Sequence, residues 1–107
     1  MSLPEISVTT LNEWLEKDDV LLIDVREQAE WDQARLPQAL LLPLSSFDPL
    51  AIPDANGKPT VIMCRSGRRS ADATQVAMMT GRTPVYNLTG GILAWQAAGL
   101  PMIGQAT

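Results

Sequence analysis

Four short apolar runs constrain this chain more than any other feature: Val20–Val25, Ala39–Leu42, Thr60–Cys64 and Val85–Leu88. Each is apolar almost continuously rather than in alternation. Such runs bury both faces, as strands of a parallel sheet covered by helices do. The segments between them carry helical spacing. Thr9 or Thr10 can cap a helix through Leu11, Trp14 and Leu15 that runs out in Glu16-Lys17-Asp18-Asp19. From Ser70 to Thr80, Ala71, Thr74 and Met78 share one stripe with Ala73, Val76 and Ala77 beside it, and Gly81 stops the helix. Gly91–Ala98 carries Leu93, Trp95 and Ala98 and ends at Gly99 and Pro101. Residues 45–59 are rich in turn formers, Asn56-Gly57 foremost, and read as a connection containing one helical turn. Strands alternating with helices predict an α/β fold with a mainly parallel sheet, whose ligands sit at the carboxyl ends of the strands. Asp24 and Cys64 both lie at such ends.

With 107 residues, 46% of them hydrophobic, the chain holds one core and is too short for two ordinary domains. The expectation is a single domain over 1–107, with a core over about 5–103 and short flexible termini. A net charge of −4 and a pI of about 4.5 give no basic field for nucleic acid or an anionic membrane. The single cysteine excludes an intrachain disulfide and a cysteine-based zinc cage, and neither a metal nor a cofactor is expected. Met1-Ser2-Leu3-Pro4-Glu5 lacks the basic start of a signal peptide. No apolar run approaches the roughly 20 residues that span a bilayer. A soluble, cytoplasmic protein without membrane insertion is the expectation. There is no histidine, which rules out Ser-His-Asp triads, Cys-His dyads, histidine metal sites and imidazole acid–base chemistry.

Cys64 ends an apolar run and opens Arg65-Ser66-Gly67-Arg68-Arg69-Ser70, which reads into a helix. A cysteine closing an apolar strand is ordinarily core. Here, however, Arg65, Arg68 and Arg69 supply three of the eight basic residues within five positions, poor neighbours for an inert thiol. Ser66 and Gly67 allow a tight curve whose N–H groups can form an anion nest, and the helix starting near Ser70 adds unpaired donors. Such a loop stabilises a thiolate. Cationic side chains oppose the dipole at a helix start, so the cluster points to an anionic ligand, bound chiefly by Arg65 and Arg69. Asp24 and Arg26 are candidates for orienting the cysteine loop. The structural reading comes first for both: Asp24 ends its strand and caps the turn that follows, and Arg26 with Glu27 or Glu30 is an ordinary surface ion pair. Trp31 and Trp95 read as core anchors. Gly90-Gly91 lacks the further glycine and the lysine of a phosphate loop.

Four segments together make the chain resemble a single-domain rhodanese, a sulfurtransferase. They are Leu22-Ile23-Asp24-Val25-Arg26-Glu27 with Glu30-Trp31; Leu36-Pro37 with Ala39; Cys64 to Ser70; and Tyr86-Asn87-Leu88-Thr89-Gly90-Gly91 with Ala94-Trp95 and Ala98-Gly99-Leu100-Pro101. The resemblance implies a five-stranded, mainly parallel sheet flanked by helices on both faces, with the active loop after the fourth strand. It implies that Cys64 takes a sulfane sulfur from a small anionic donor such as thiosulfate. A persulfide then forms, and the sulfur passes to cyanide or a thiol, a sulfur-accepting protein included. Two departures stand out. Ala34-Arg35-Leu36 replaces the usual Gly-His-Ile before Pro37, and Gln38 replaces a common glycine after it.

Two other readings share the loop. A cysteine phosphatase or arsenate reductase places its arginine after five intervening residues, to meet the oxygens of a tetrahedral anion. Counted from Cys64 that position is Ser70, and Arg69 falls one residue early. Rhodanese-like modules also serve as regulatory or sulfur-relay domains, typically where the cysteine is lost, whereas this chain keeps it.

Overall fold

The expected strands assemble into one sheet in a computed structural model that describes residues 3–107. In chain order the elements are β1 (Glu5–Ile6), α1 (Val8–Glu16), β2 (Leu21–Asp24), α2 (Gln28–Gln33), β3 (Ala34–Arg35), β4 (Leu40–Leu41), β5 (Thr60–Met63), α3 (Arg68–Met79), β6 (Val85–Leu88), α4 (Gly91–Ala97) and β7 (Ile103–Gly104). The main sheet has five strands in the order β1-β6-β5-β2-β4, and every neighbouring pair is parallel. β5, which delivers the cysteine, is central, and all of its residues are buried.

Alternation along the strands explains why the runs are apolar on both faces. Leu22, Val61, Met63 and Leu88 join Leu11 and Leu15 of α1 and Ile92 and Trp95 of α4 on one side. Ile23, Val25, Ile62, Cys64 and Val85 join Ala73 and Ala77 of α3 on the other. The helices therefore flank both faces, as expected. No helix of the described residues is long and apolar enough to cross a membrane.

Several local features differ from the expectation. Ser7, not Thr9 or Thr10, caps α1, its Oγ accepting from the Thr10 N–H at 3.2 Å. Helix α3 begins at Arg68 rather than Ser70, because Gly67 enters it with φ 101°. Residues 45–59 hold a 3-10 turn at Pro49–Ala51, preceded by another at Leu44–Ser46. Trp95 is buried as a core anchor, whereas Trp31 is only half-buried, with the Arg35 guanidinium 5.6 Å from its ring centroid. Elements β1, α2 and the antiparallel pair β3–β7 were not legible in the sequence, being too short for a periodic pattern.

Of the termini expected to be flexible, Met1 and Ser2 lie outside the described residues. At the other end Gln96 holds Ala106 through both amide atoms, at 3.1 and 2.7 Å. The departure segment Ala34-Arg35 forms β3 and pairs with Ile103–Gly104. Its sequence thus shapes the seat of the C-terminal segment.

Candidate active site

Strand β5 ends at Met63 and α3 starts at Arg68, so Cys64 opens a loop at the carboxyl edge of the central strand. The loop is held from behind by the start of α4. The Ile92 N–H donates to the Cys64 carbonyl at 2.9 Å and the Leu93 N–H to the Arg65 carbonyl at 3.1 Å. In a trans peptide the next N–H points opposite to the carbonyl. Fixing those carbonyls toward α4 therefore turns the Arg65 and Ser66 N–H groups away from it. Gly91 makes this approach possible. Its φ is +58°, and a Cβ there would lie 2.5 Å from the Cys64 oxygen and 2.4 Å from the Arg65 oxygen. Gly91 is thus a point of close backbone approach.

Cys64 is 1% exposed. Its Sγ accepts from the Gly67 N–H at 3.1 Å and lies 3.2 Å from the Ser70 hydroxyl. Burial pushes the thiol up, but the Ser70 hydroxyl and the N–H groups of Ser70, Gly67 and Ser66 outweigh it, so the group sits below the ordinary cysteine range. The geometry makes Cys64 a thiolate-stabilising cysteine.

The arginines divide by partner. Arg69 forms a fork with Glu30 of α2, Nη1 to Oε1 at 2.7 Å and Nη2 to Oε2 at 2.8 Å. Hydrogen bonding to Arg69 is the main reason the Glu30 carboxyl falls to about 2, against the opposing effect of burial; the Glu27 N–H, at 3.1 Å, assists. Glu30 in turn raises Arg69. Arg65 donates through Nε and Nη2 to the Thr107 oxygen, at 3.0 and 2.8 Å. Arg68 is exposed and has no hydrogen-bond or ion-pair partner among the described residues.

Asp24 caps the turn after β2 as expected, its Oδ1 accepting from the Arg26 N–H at 2.9 Å, whereas the surface ion pair expected of Arg26 with Glu27 or Glu30 does not form. Asp24 is 0% and Arg26 2% exposed, and Arg26 binds the Asp24 carboxylate through Nε and Nη2 instead of a carboxylate of Glu27 or Glu30. Arg26 also donates to the Ala34 carbonyl at 2.6 Å and the Glu30 carbonyl at 3.3 Å, so the pair is satisfied on all sides. Its link to residues 64–70 runs through Glu30, which it holds by the backbone and which holds Arg69 by the side chain.

Two residues beyond the expected set belong to the site. Glu30 was read only as a partner of Arg26. Asn87 of β6 accepts from Ser70 at Oδ1 at 2.5 Å, and its Nδ2 donates to the Gly67 carbonyl at 3.0 Å and to Glu5 at 3.1 Å. An amide inside a buried apolar strand was the signal that could have found it. Clefts of about 400 and 310 Å³ open beside the starts of β5 and β6, at the opposite edge of the sheet. Neither is lined by Cys64 or any residue of its loop.

Comparison with known proteins agrees with this architecture. Residues 7–98 match the model of the rhodanese-like domain. A sulfurtransferase of Allochromatium vinosum is 40% identical over 100 residues, covering 92% of this chain and 94% of that protein. An uncharacterised protein of Synechocystis is 41% identical over 98 residues, 92% of this chain but only 55% of the relative. A human single-domain sulfurtransferase superposes with a TM-score of 0.77 at 27% identity, over 90% of this chain and 97% of that one. A thiolate-stabilising cysteine loop on the central strand of a five-stranded parallel sheet, and matches that cover nearly all of this chain, together make it a member of the rhodanese-like sulfurtransferase family.

Proposed function

We propose that the protein transfers a sulfane sulfur from a small anionic donor, such as thiosulfate, through a Cys64 persulfide to cyanide or a thiol, including that of a sulfur-accepting protein. The observation that carries this reading is the set of donors on Cys64 Sγ: the Gly67 N–H at 3.1 Å and the Ser70 hydroxyl at 3.2 Å, with the Ser66 and Ser70 N–H groups lowering its pKa. The Cys64 thiolate attacks the outer sulfur of thiosulfate. As the new S–S bond forms, the bond to the sulfonate sulfur breaks and its electron pair leaves with sulfite. In the second step an acceptor thiolate or cyanide attacks the outer sulfur, and the electron pair returns to Cys64. The N–H nest stabilises the negative sulfur in both resting states without rearranging. Sulfite needs no proton to leave, which suits a chain without histidine.

The donor is recognised at the rim. Arg68, exposed beside the loop, draws the sulfonate in, joined by Arg65, which is also exposed and exchanges its contact with the Thr107 oxygen for the donor. Arg69, paired with Glu30, fixes the loop rather than grips the donor. The same pairing counts against a phosphatase, which needs its loop arginine free for the oxyanion. Chemistry that depends on a free thiol fits a reducing compartment such as the cytoplasm.

Intact mass after incubation with thiosulfate, without reducing agent, tests the reading. One added sulfur atom on the wild type, none on Cys64→Ser, and its removal by cyanide or a small thiol is the expected result. An unchanged wild-type mass would leave the protein a binding module.

A further inference from the structure

The Ser70 hydroxyl has one proton and two acceptors within reach. Asn87 Oδ1 stands at 2.5 Å and Cys64 Sγ at 3.2 Å. We infer that Asn87 is a positioning residue that competes with Cys64 for the Ser70 proton and thereby sets how readily the cysteine ionises. This deepens the sulfur-transfer reading, on which its functional meaning rests.

The competition follows from what each group can do. A thiol sulfur is a weak acceptor, so while Cys64 is protonated the Ser70 proton belongs to Asn87, and the S–H donates to Ser70 Oγ. When Cys64 ionises, its charge makes the sulfur a strong acceptor, and the hydroxyl turns its proton toward Sγ. That turn leaves Asn87 Oδ1 without its partner. Asn87 cannot follow by flipping its amide, because Nδ2 is held by the Gly67 carbonyl and the Glu5 carboxylate, both pure acceptors. Water offers no easy replacement where Ser70 is 0% and Asn87 2% exposed. Every ionisation of Cys64 therefore costs a buried hydrogen bond at Asn87. Once Cys64 carries the extra sulfur, the charge moves to the outer atom, and the proton returns to Asn87. The residue favours the loaded and the protonated states over the bare thiolate.

The other charges around Cys64 come from every side. Arg65 lies in the loop and Arg68 and Arg69 on α3; Glu30 of α2 is paired with Arg69; Glu5 of β1 lies behind Asn87; Asp24 of β2 is paired with Arg26. α4 contributes N–H groups but no charge. All of these groups are present in every variant below, and the Glu5 contact that Asn87→Leu removes is lost in both backgrounds and so cancels in the cycle.

The test is a double-mutant cycle read by the pH dependence of iodoacetamide alkylation, which needs no sulfur donor and so stands apart from the intact-mass experiment. Ser70→Ala should raise the pH midpoint of Cys64 alkylation, and Asn87→Leu should lower it, each by roughly one pH unit. In the Ser70→Ala background, Asn87→Leu should no longer lower the midpoint, because its effect runs through the Ser70 proton. A merely structural Asn87 would raise the midpoint on removal, or shift it equally in both backgrounds, and either result overturns the inference. Should Asn87→Leu fail to fold, the wild type answers the question by NMR. The Asn87 side-chain carbonyl carbon should titrate together with Cys64 and lose most of that response in Ser70→Ala. A carbon shift that ignores Cys64 titration would equally overturn it.

Discussion

The Ile92 N–H donates to the Cys64 carbonyl at 2.9 Å, so helix α4 begins on the backbone of the cysteine itself. This contact exists only because Gly91 has no Cβ. Gly91→Ala would place a methyl carbon 2.4–2.5 Å from two carbonyl oxygens at a φ of +58°. The expected cost is about 2 kcal/mol or more in urea unfolding. Cys64 alkylation at neutral pH should slow as the N–H nest distorts. A variant with wild-type stability and alkylation rate would show that the loop keeps its shape without α4.

Glu30 gives the fold a pH signature. Its carboxyl falls from 4.5 to about 2, first through the hydrogen bonds from Arg69, with burial acting the other way. A group whose folded pKa lies below its unfolded one stabilises above the unfolded value, and the benefit disappears as pH falls through the folded one. Wild-type protein should therefore lose stability between pH 4.5 and about 2, and Glu30→Gln should lack that portion of the loss. With Arg69 about a third exposed, screening limits the contribution to about 1 kcal/mol. Urea midpoints measured across the window decide it, and parallel curves for the two proteins would count against the pair.

The arginines should separate in kinetics. Arg68→Gln and Arg65→Gln are expected to slow persulfide formation from thiosulfate about tenfold each, the lower end of a charged hydrogen bond for exposed groups. Discharge of the persulfide to a neutral thiol should change little. Raising the salt should shrink the difference from wild type. Arg69→Gln should slow both half-reactions alike, because its guanidinium holds Glu30. Rates of both steps at low and high ionic strength provide the check, and a selective effect of Arg69→Gln on the first step would return it to the donor site.

The sequence alone determined the architecture and the place of its single cysteine. Four apolar runs, buried on both faces, leave a parallel sheet with helices on either side as the packing solution, and β5 carries Cys64 to its carboxyl edge by strand direction alone. The loop chemistry was legible because Ser66, Gly67 and the helix start are neighbours in the chain. The absence of histidine limited the mechanism by composition.

Partnership between distant residues was decided only by the tertiary structure. Arg69 meets Glu30 across 39 positions, Ser70 meets Asn87 across 17, and the Cys64 carbonyl meets the start of α4, all by strand order and helix packing. Arg69, expected at the ligand, and Arg68 are adjacent in the sequence, and the rotation of α3 points the first at Glu30 of α2 and the second at solvent. Arg26 likewise reads as half of a surface ion pair until α2 and β3 close over it and supply the Glu30 and Ala34 carbonyls. Hydrogen bonds between side chains depend on directions and distances of a few ångströms, which sequence spacing does not encode across separate elements.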